Sequence, residues 1–447
     1  MQKERFLRTA YAFLSAARHH AGGGLLLMLA AAAALLVANS PLASSYEAFW
    51  QQPVSLRLGR FDLFAHGGEP LSLLGFINDA LMAVFFLMVG LEIKRELLVG
   101  QLSSPRRALL PVVAAVGGMA VPVLLFSLLA HGTPAAAGRA IPMATDVAFS
   151  LGVLGLFGSR VPLSLKVFLT AFAVVDDIGG ILVIALFYAG HLSLPHLLAA
   201  GCVAAVLVLA GWAGVRRRWF YLALGVVLWY LFLQSGVHAT IAGVVLAFTV
   251  PATPSPAASR YVDRIRRGAR LLARGGSAGA LLDKEQLDLL KSIESASDRA
   301  ISPLQALEDA LHRPVNYFIM PLFAFANAGV ALAGPAGGPA VGRLALAVFV
   351  GLVAGKFLGI LLFTLLAVRL RLASMPEGMT RGGLCAVALL GGIGFTVSLF
   401  IAQLSFGSAP ALLAEAKLGV LLGTLVAGLL GVAVLRVALR KGTAAGR

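Results

Sequence analysis

The chain has 447 residues, 59% of them hydrophobic and only 13% charged. A water-soluble domain carries nearer 25% charged residues, so this composition excludes an ordinary soluble enzyme and describes a chain solvated mostly by lipid. The net charge of +16 would suit a nucleic-acid binder, but the basic residues fall in alternate loops, the pattern that sets membrane topology, and no nucleic-acid partner is expected.

Apolar runs of about 20 residues, enough to cross a bilayer as a helix, predict twelve spans. They cover roughly 12–39, 72–98, 107–130, 134–157, 162–189, 194–213, 219–233, 236–250, 314–333, 342–369, 381–403 and 410–438. The first starts near Tyr11, too early for the apolar core of a cleaved signal peptide, and is read as a retained span. Lys3, Arg5, Arg8 and Arg18 lie before it or in its first turns, Lys94, Arg95, Arg106 and Arg107 at or beyond the end of the second span, and Arg160 and Lys166 beyond the fourth. Arg216 to Arg218 follow the sixth, Arg369 and Arg371 the tenth, and Arg436, Arg440, Lys441 and Arg447 end the chain. The intervening loops carry few basic residues, so both termini are expected on the cytoplasmic side. The expectation is an all-α membrane protein forming one domain over 1–447. Cys202 and Cys385 lie in apolar segments and are read as packing residues without a disulfide.

Two loops stand out. In the external loop 40–70, "PVSLRLGRFDLFA" alternates apolar with polar or small residues around Gly59, which predicts a small β-hairpin; an irregular loop is the alternative. The cytoplasmic loop 251–313 has ten basic and eight acidic residues. Within it "LLDKEQLDLLKSIESA" has an amphipathic helical pattern, and "SPLQALEDALH" opens with a Ser cap and a first-turn Pro. It is read as a surface helix pair or a regulatory element.

The fourth span contains "IPMATDVAFSLG", with Pro142, Thr145 and Asp146 mid-span, and the eleventh contains "LLGGIGFTVSLF" with Gly391, Gly392 and Gly394. Two interrupted helices in corresponding places, within the third to fifth and the tenth to twelfth spans, predict inverted repeats with two broken helices crossing at the midplane of a transporter.

Charges inside the apolar spans carry the function. Each costs at least about 2.5–3.5 kcal/mol at mid-bilayer, yet the chain places Asp146, Asp176, Asp177 and Lys356 there. A shared polar site is the expectation; a purely structural salt-bridge cluster is the alternative. Carboxylates, hydroxyls and freed carbonyls are hard ligands that suit Na+. Asp146 and Asp177, with the Thr145 hydroxyl, would contact the ion. Protons and cations would compete for the same oxygens, and Asp176 and Asp177 should titrate as a coupled pair. Competition with alternating exposure gives exchange of cation for proton. Lys356 would either neutralise Asp176 while the site awaits sodium or release its own proton when sodium arrives. Asp176, turned roughly 100° from Asp177 around the helix, is the better partner for Lys356.

Further candidates are Glu92, Arg95 and Glu96 in "GLEIKREL", with Glu308 and His312. They form either a charge network that gates the site by pH or an ordinary snorkelling helix end. His238 titrates in the right range or is simply a bonded helix-end histidine. Asn78 and Asp79 line a funnel or bond backbone. An intramembrane aspartyl protease would want Gly-x-Gly-Asp, which surrounds neither Asp146 nor Asp177. A cation-coupled solute symporter is the remaining rival class.

The stretches "PMATDVAFSLGVLGLFGSRVP", "VVDDIGG", "NDALMAVFFLMVGLEIKREL", "GVHATIAG", "PLFAFANAGV" and "GGIGFTVSLFI" resemble the NhaA-type sodium/proton antiporters over nearly the whole chain. These antiporters are among the transporters from which the inverted-repeat rule was drawn. The resemblance implies exchange of Na+ or Li+ for H+ with no cofactor, in the bacterial inner membrane. It implies Asp146 and Asp177 as ion ligands, Asp176 as their partner, Thr145 nearby and Lys356 as the charged partner. It also implies a cytoplasmic pH-sensing cluster at Glu92, Arg95, Glu96, Glu308 and His312, and a homodimer joined partly through the external hairpin. This chain departs from the family pattern where Lys356 precedes Phe357 instead of proline, which predicts a straighter helix there. Asp309 stands where a histidine can occur, and the 251–313 loop is longer than usual.

Overall fold

The computed structural model describes residues 22–444 except 59–60, 63, 67–68, 189, 191, 254–257, 275–282 and 333–341. Its elements begin with α1 (Gly22–Ala38) and α2 (Ala43–Trp50). Five short strands follow: β1 (Pro53–Val54), β2 (Arg57–Leu58), β3 (Phe61–Asp62), β4 (Ala65–His66) and β5 (Glu69–Ser72). Next come α3 (Leu73–Val99) and α4 (Pro105–Leu129), then α5 (Val147–Gly155), α6 (Leu163–Phe187), α7 (Leu194–Trp212), α8 (Arg218–Ser235) and α9 (Thr240–Thr249). The loop helices are α10 (Ala258–Arg274), α11 (Lys284–Ala300) and α12 (Pro303–Pro314). The chain closes with α13 (Met320–Asn327), α14 (Arg343–Arg369), α15 (Arg381–Leu390), α16 (Phe395–Phe406) and α17 (Pro410–Ala444).

Among the described residues, seven helical stretches are long and apolar enough to cross a membrane, or eight if α1 and α2, bent 117° to each other, form one broken span. The predicted count was higher because several apolar runs are not single long helices. The 134–157 run becomes two short 3₁₀ turns, Pro134–Gly138 and Ile141–Met143, an extended stretch, and the nine residues of α5. The 236–250 run contains only the ten residues of α9. Residues 12–21 of the first predicted span lie outside the described ones.

The predicted hairpin is present. β2 and β3 pair antiparallel, Arg57 opposite Asp62 and Leu58 opposite Phe61, although its turn at Gly59 lies outside the described residues. Beside it a three-stranded sheet runs in the order β1-β5-β4. In the 251–313 loop, α11 matches the amphipathic pattern, and α10, which the sequence reading passed over, packs against it. Ser302 caps α12 as expected, its hydroxyl accepting from the Gln305 N–H at 3.3 Å. That helix does not stop before the ninth span: a π-turn, Val315–Ile319, carries it directly into α13. Pro314 supplies no N–H to the ladder, and a wide turn absorbs the missing bond. Cys202 is exposed, so it is not the packing residue expected; Cys385 is half-buried.

The helix that carries Lys356 runs unbroken from Arg343 to Arg369. A π-turn, Gly351–Gly355, sits immediately before the lysine, and its glycines let α14 close on Pro122 and Pro142. Further along the same contact, a Cβ on Gly117 of α4 would strike the Gly359 carbonyl of α14, and one on Gly359 would strike Gly117. Membrane helices that pack this closely rely on dispersion contact between small residues. Gly359→Val should therefore lower the melting temperature of the purified protein by about 5 °C or more. Gly201→Ala, at an open position, should leave it unchanged in the same thermal scan.

Candidate functional site

Two interrupted segments face each other at the centre. The extended stretch 144–146 precedes α5, and the glycine-rich stretch 391–394 separates α15 from α16. Such breaks leave backbone groups unpaired, as at any helix end, and here each segment satisfies the other. The Asp146 N–H donates to the Ile393 carbonyl at 2.6 Å. The Thr145 hydroxyl donates to the Gly391 carbonyl at 2.7 Å, and the Ser150 hydroxyl to the Leu390 carbonyl at 2.9 Å. Ser398 closes the contact by donating to the Ile141 carbonyl at 2.7 Å.

Asp146 is the pivot of this contact. As the N-cap of α5 it accepts from the Phe149 N–H through Oδ1 at 3.0 Å. Its Oδ2 accepts from the first turn of α16, from the Thr396 hydroxyl at 2.6 Å and the Thr396 N–H at 3.2 Å. One buried carboxylate thus faces the positive ends of two helices.

Asp176 and Lys356 form a second unit. Lys356 Nζ lies 2.7 Å from Asp176 Oδ2, and both side chains are fully buried. The ammonium also lies 5.6 Å from the centre of the Phe172 ring, a cation–π arrangement that helps hold a charge away from water. Asp176 Oδ1 accepts no hydrogen bond among the described residues, with Thr145 beside it.

Asp177 faces elsewhere. With Thr145 and Asp146 it lines a cavity of about 270 Å³ whose walls also carry Glu92, Arg95, Glu308, Asp309 and His312. Asp309 and His312 are exposed at the mouth, while Asp146 is buried at the floor. Asp177 is half-buried and feels the charges of Asp176, Glu92, Asp146 and Lys356. At the mouth Arg95 bridges Glu308 at 3.2 Å and reaches Glu96 at 3.8 Å. Burial raises the Glu308 carboxyl above its ordinary value, and the Arg95 guanidinium opposes that rise.

A family model for "Na+/H+ antiporter 1" matches residues 15–435. The chain is 58% identical over 441 residues to the "Na(+)/H(+) antiporter NhaA" of Phocaeicola vulgatus, covering 99% of each protein. It is 57% identical over 405 residues to the protein of that name from Bacteroides thetaiotaomicron, 90% of this chain and 92% of the relative. The protein of that name from Oleidesulfovibrio alaskensis is 46% identical over 405 residues, 90% of this chain and 88% of the relative. The chain belongs to the Na+/H+ antiporter 1 family.

Placed on this family member's structure, the sequence candidates divide. Asp146, Asp177, Thr145, Glu92, Arg95, Glu308 and His312 share one cavity, with Asp176 and Lys356 behind it. Glu96 turns its other oxygen to the Gln101 N–H at 2.9 Å, and His312 takes Asn316 as its partner, Nε2 lying 3.2 Å from the amide nitrogen. His238 is not among the lining residues; its ring meets Phe400 edge-on with centroids 6.0 Å apart. Asn78 joins a buried pair, accepting from Asn327 Nδ2 at 2.9 Å. Thr396 escaped the sequence reading, although "GGIGFT" places a hydroxyl just past a glycine break, as "MATD" places Thr145.

Breaking the Asp176–Lys356 pair from one side strands a buried charge, at a cost of about 3–5 kcal/mol. Lys356→Met alone should therefore destabilise the protein strongly, and adding Asp176→Asn should recover most of the loss. Additive losses in thermal unfolding would show that the two side chains act independently.

Proposed function

We propose that the chain is an electrogenic antiporter that exports Na+ or Li+ in exchange for protons by alternating access, serving sodium and pH homeostasis. It is a secondary transporter of the bacterial inner membrane, with twelve crossings, inverted repeats over the third to fifth and tenth to twelfth spans, and both termini cytoplasmic. The observation that carries the reading is the cavity that ends on Asp146 and Asp177. A hard cation arriving there meets two carboxylates and the Thr145 hydroxyl. The same oxygens are where protons bind when the ion is absent, so loading one cargo expels the other. If one Na+ displaces two protons, each cycle moves net charge and the membrane potential drives it.

Lys356 has a defined part in this scheme. Its ammonium neutralises Asp176, so the site holds two exchangeable carboxylates in place of three. The mouth residues Glu92, Arg95, Glu96, Glu308 and His312 form the pH-sensing network, with His238 acting apart from them. The cavity opens on the side of Arg95 and Glu308, which the basic-loop pattern assigns to the cytoplasm. The resemblance further supports a homodimer joined partly through the strands β1 to β5.

In everted vesicles, added Na+ should discharge a preformed pH gradient without any organic solute, and Asp177→Asn should reduce that response to background. A requirement for an organic solute would favour a symporter, and full exchange by Asp177→Asn would sink the mechanism. Glu308 supplies a pH test whose sign follows from its raised carboxyl. At low pH it is protonated and matches a glutamine; as pH rises it ionises and places negative charge at the mouth. Glu308→Gln should therefore raise the apparent KM for Na+ at alkaline pH and leave it unchanged at acid pH. An equal change at both ends of the pH range would remove Glu308 from the network.

A further inference from the structure

α10 has the sequence "ASRYVDRIRRGARLLAR", with six arginines, one aspartate and no lysine. Its packing side is well defined. Tyr261, Ile265 and Leu272 are part-buried and Gly268 is buried, all at helical spacing, and a Cβ on Gly268 would meet Ile293 of α11 at 2.8 Å. The opposite side carries Arg266, Arg267 and Arg270, all exposed. Arg260, Arg264 and Arg274 add to the basic charge of the same helix. Leu271 and Val262, 53% and 40% exposed, flank the arginine side.

An ordinary solvated helix mixes signs and gains from i,i+4 ion pairs. Here only Asp263 offsets the row, and like charges at this spacing repel, so the face is incomplete without an anionic counterpart. The exclusive use of arginine narrows the chemistry, because the guanidinium fork matches phosphate oxygens in a two-point contact. The fold narrows the place. The Leu304 N–H donates to the Pro251 carbonyl at 3.1 Å, which pins the two ends of the loop together where α9 and α12 meet. Lys94 fastens the same neck by donating to the Phe248 carbonyl at 2.7 Å. From Pro251 to Ala258 the chain reaches at most about 25 Å, so α10 is tethered close to the membrane that holds the rest of the protein.

We infer that the arginine face of α10 docks on the anionic phospholipid headgroups of the surrounding membrane, with Leu271 and Val262 seated at the headgroup level. Basic amphipathic helices beside membrane spans bind acidic lipid surfaces in this way, and tethering removes most of the entropic cost of encounter. An acidic soluble protein is the other partner such a face admits; it lacks the tether.

Hydrogen–deuterium exchange of the full chain in nanodiscs tests this without reference to transport. In pure phosphatidylcholine, residues 258–274 should exchange at the rate set by their own helix and its packing on α11; with about 30% phosphatidylglycerol they should exchange roughly tenfold more slowly. The triple variant Arg266→Gln, Arg267→Gln, Arg270→Gln keeps good helix formers and should lose that protection while α3 and α14 exchange as before. Equal exchange of the unaltered chain in the two lipids would overturn the proposal. Lipid-dependent protection that persists in the triple variant would overturn the role of the arginines.

Discussion

Two helix starts converge on the carboxylate of Asp146: α5 through the Phe149 N–H and α16 through Thr396. Those bonds exist because two apolar segments are broken at matching places and leave backbone groups that lipid cannot satisfy. Without the second segment, the extended stretch 144–146 would be an unpaired loop inside hydrocarbon. Without Asp146, the first turns of both helices would lose an acceptor. The arrangement puts a carboxyl group between two helix starts, where fixed dipoles favour negative charge, and it does so beside the cavity.

The neighbouring aspartates then divide their work by helical phase. Asp176 turns into the packed interior and meets Lys356; Asp177 turns toward the cavity. A pair of adjacent carboxylates would otherwise repel each other in a low-dielectric setting. Pairing Asp176 with an ammonium leaves Asp177 as the one of the two that lines the cavity. The close approach of α14 to α4, set by Gly117 and Gly359, is what carries Lys356 into reach. Packing of small residues is in this sense part of the electrostatics.

Much of the site was legible because charge in an apolar span is conspicuous. Asp146, Asp176, Asp177 and Lys356 stand out from their surroundings, and a 100° step around a helix separates the parts of Asp176 and Asp177. Thr396 was not legible in the same way, since a threonine in a membrane helix draws no notice until the break beside it is matched to another. Most spans were legible both as apolar runs and as helices, among them 72–98, 162–189 and 342–369; the fourth and eighth were not single long helices. The break at Pro142, Thr145 and Asp146 was legible too; that it leaves only the nine helical residues of α5 after it was not. The π-turns before Lys356 and after Pro314 left no periodic signature, because one wide turn shifts phase by less than a reading of apolar spacing resolves. The arginine side of α10 was hidden by reading the loop as a whole, where eight acidic residues mask it.

The central claim is that the same carboxylate oxygens hold either sodium or protons. Adding Na+ to the purified protein in weak buffer, with a pH indicator present, measures it directly. The account predicts prompt release of protons, more than one per bound Na+, and a smaller release from Asp177→Asn. Sodium binding with no proton release would contradict it.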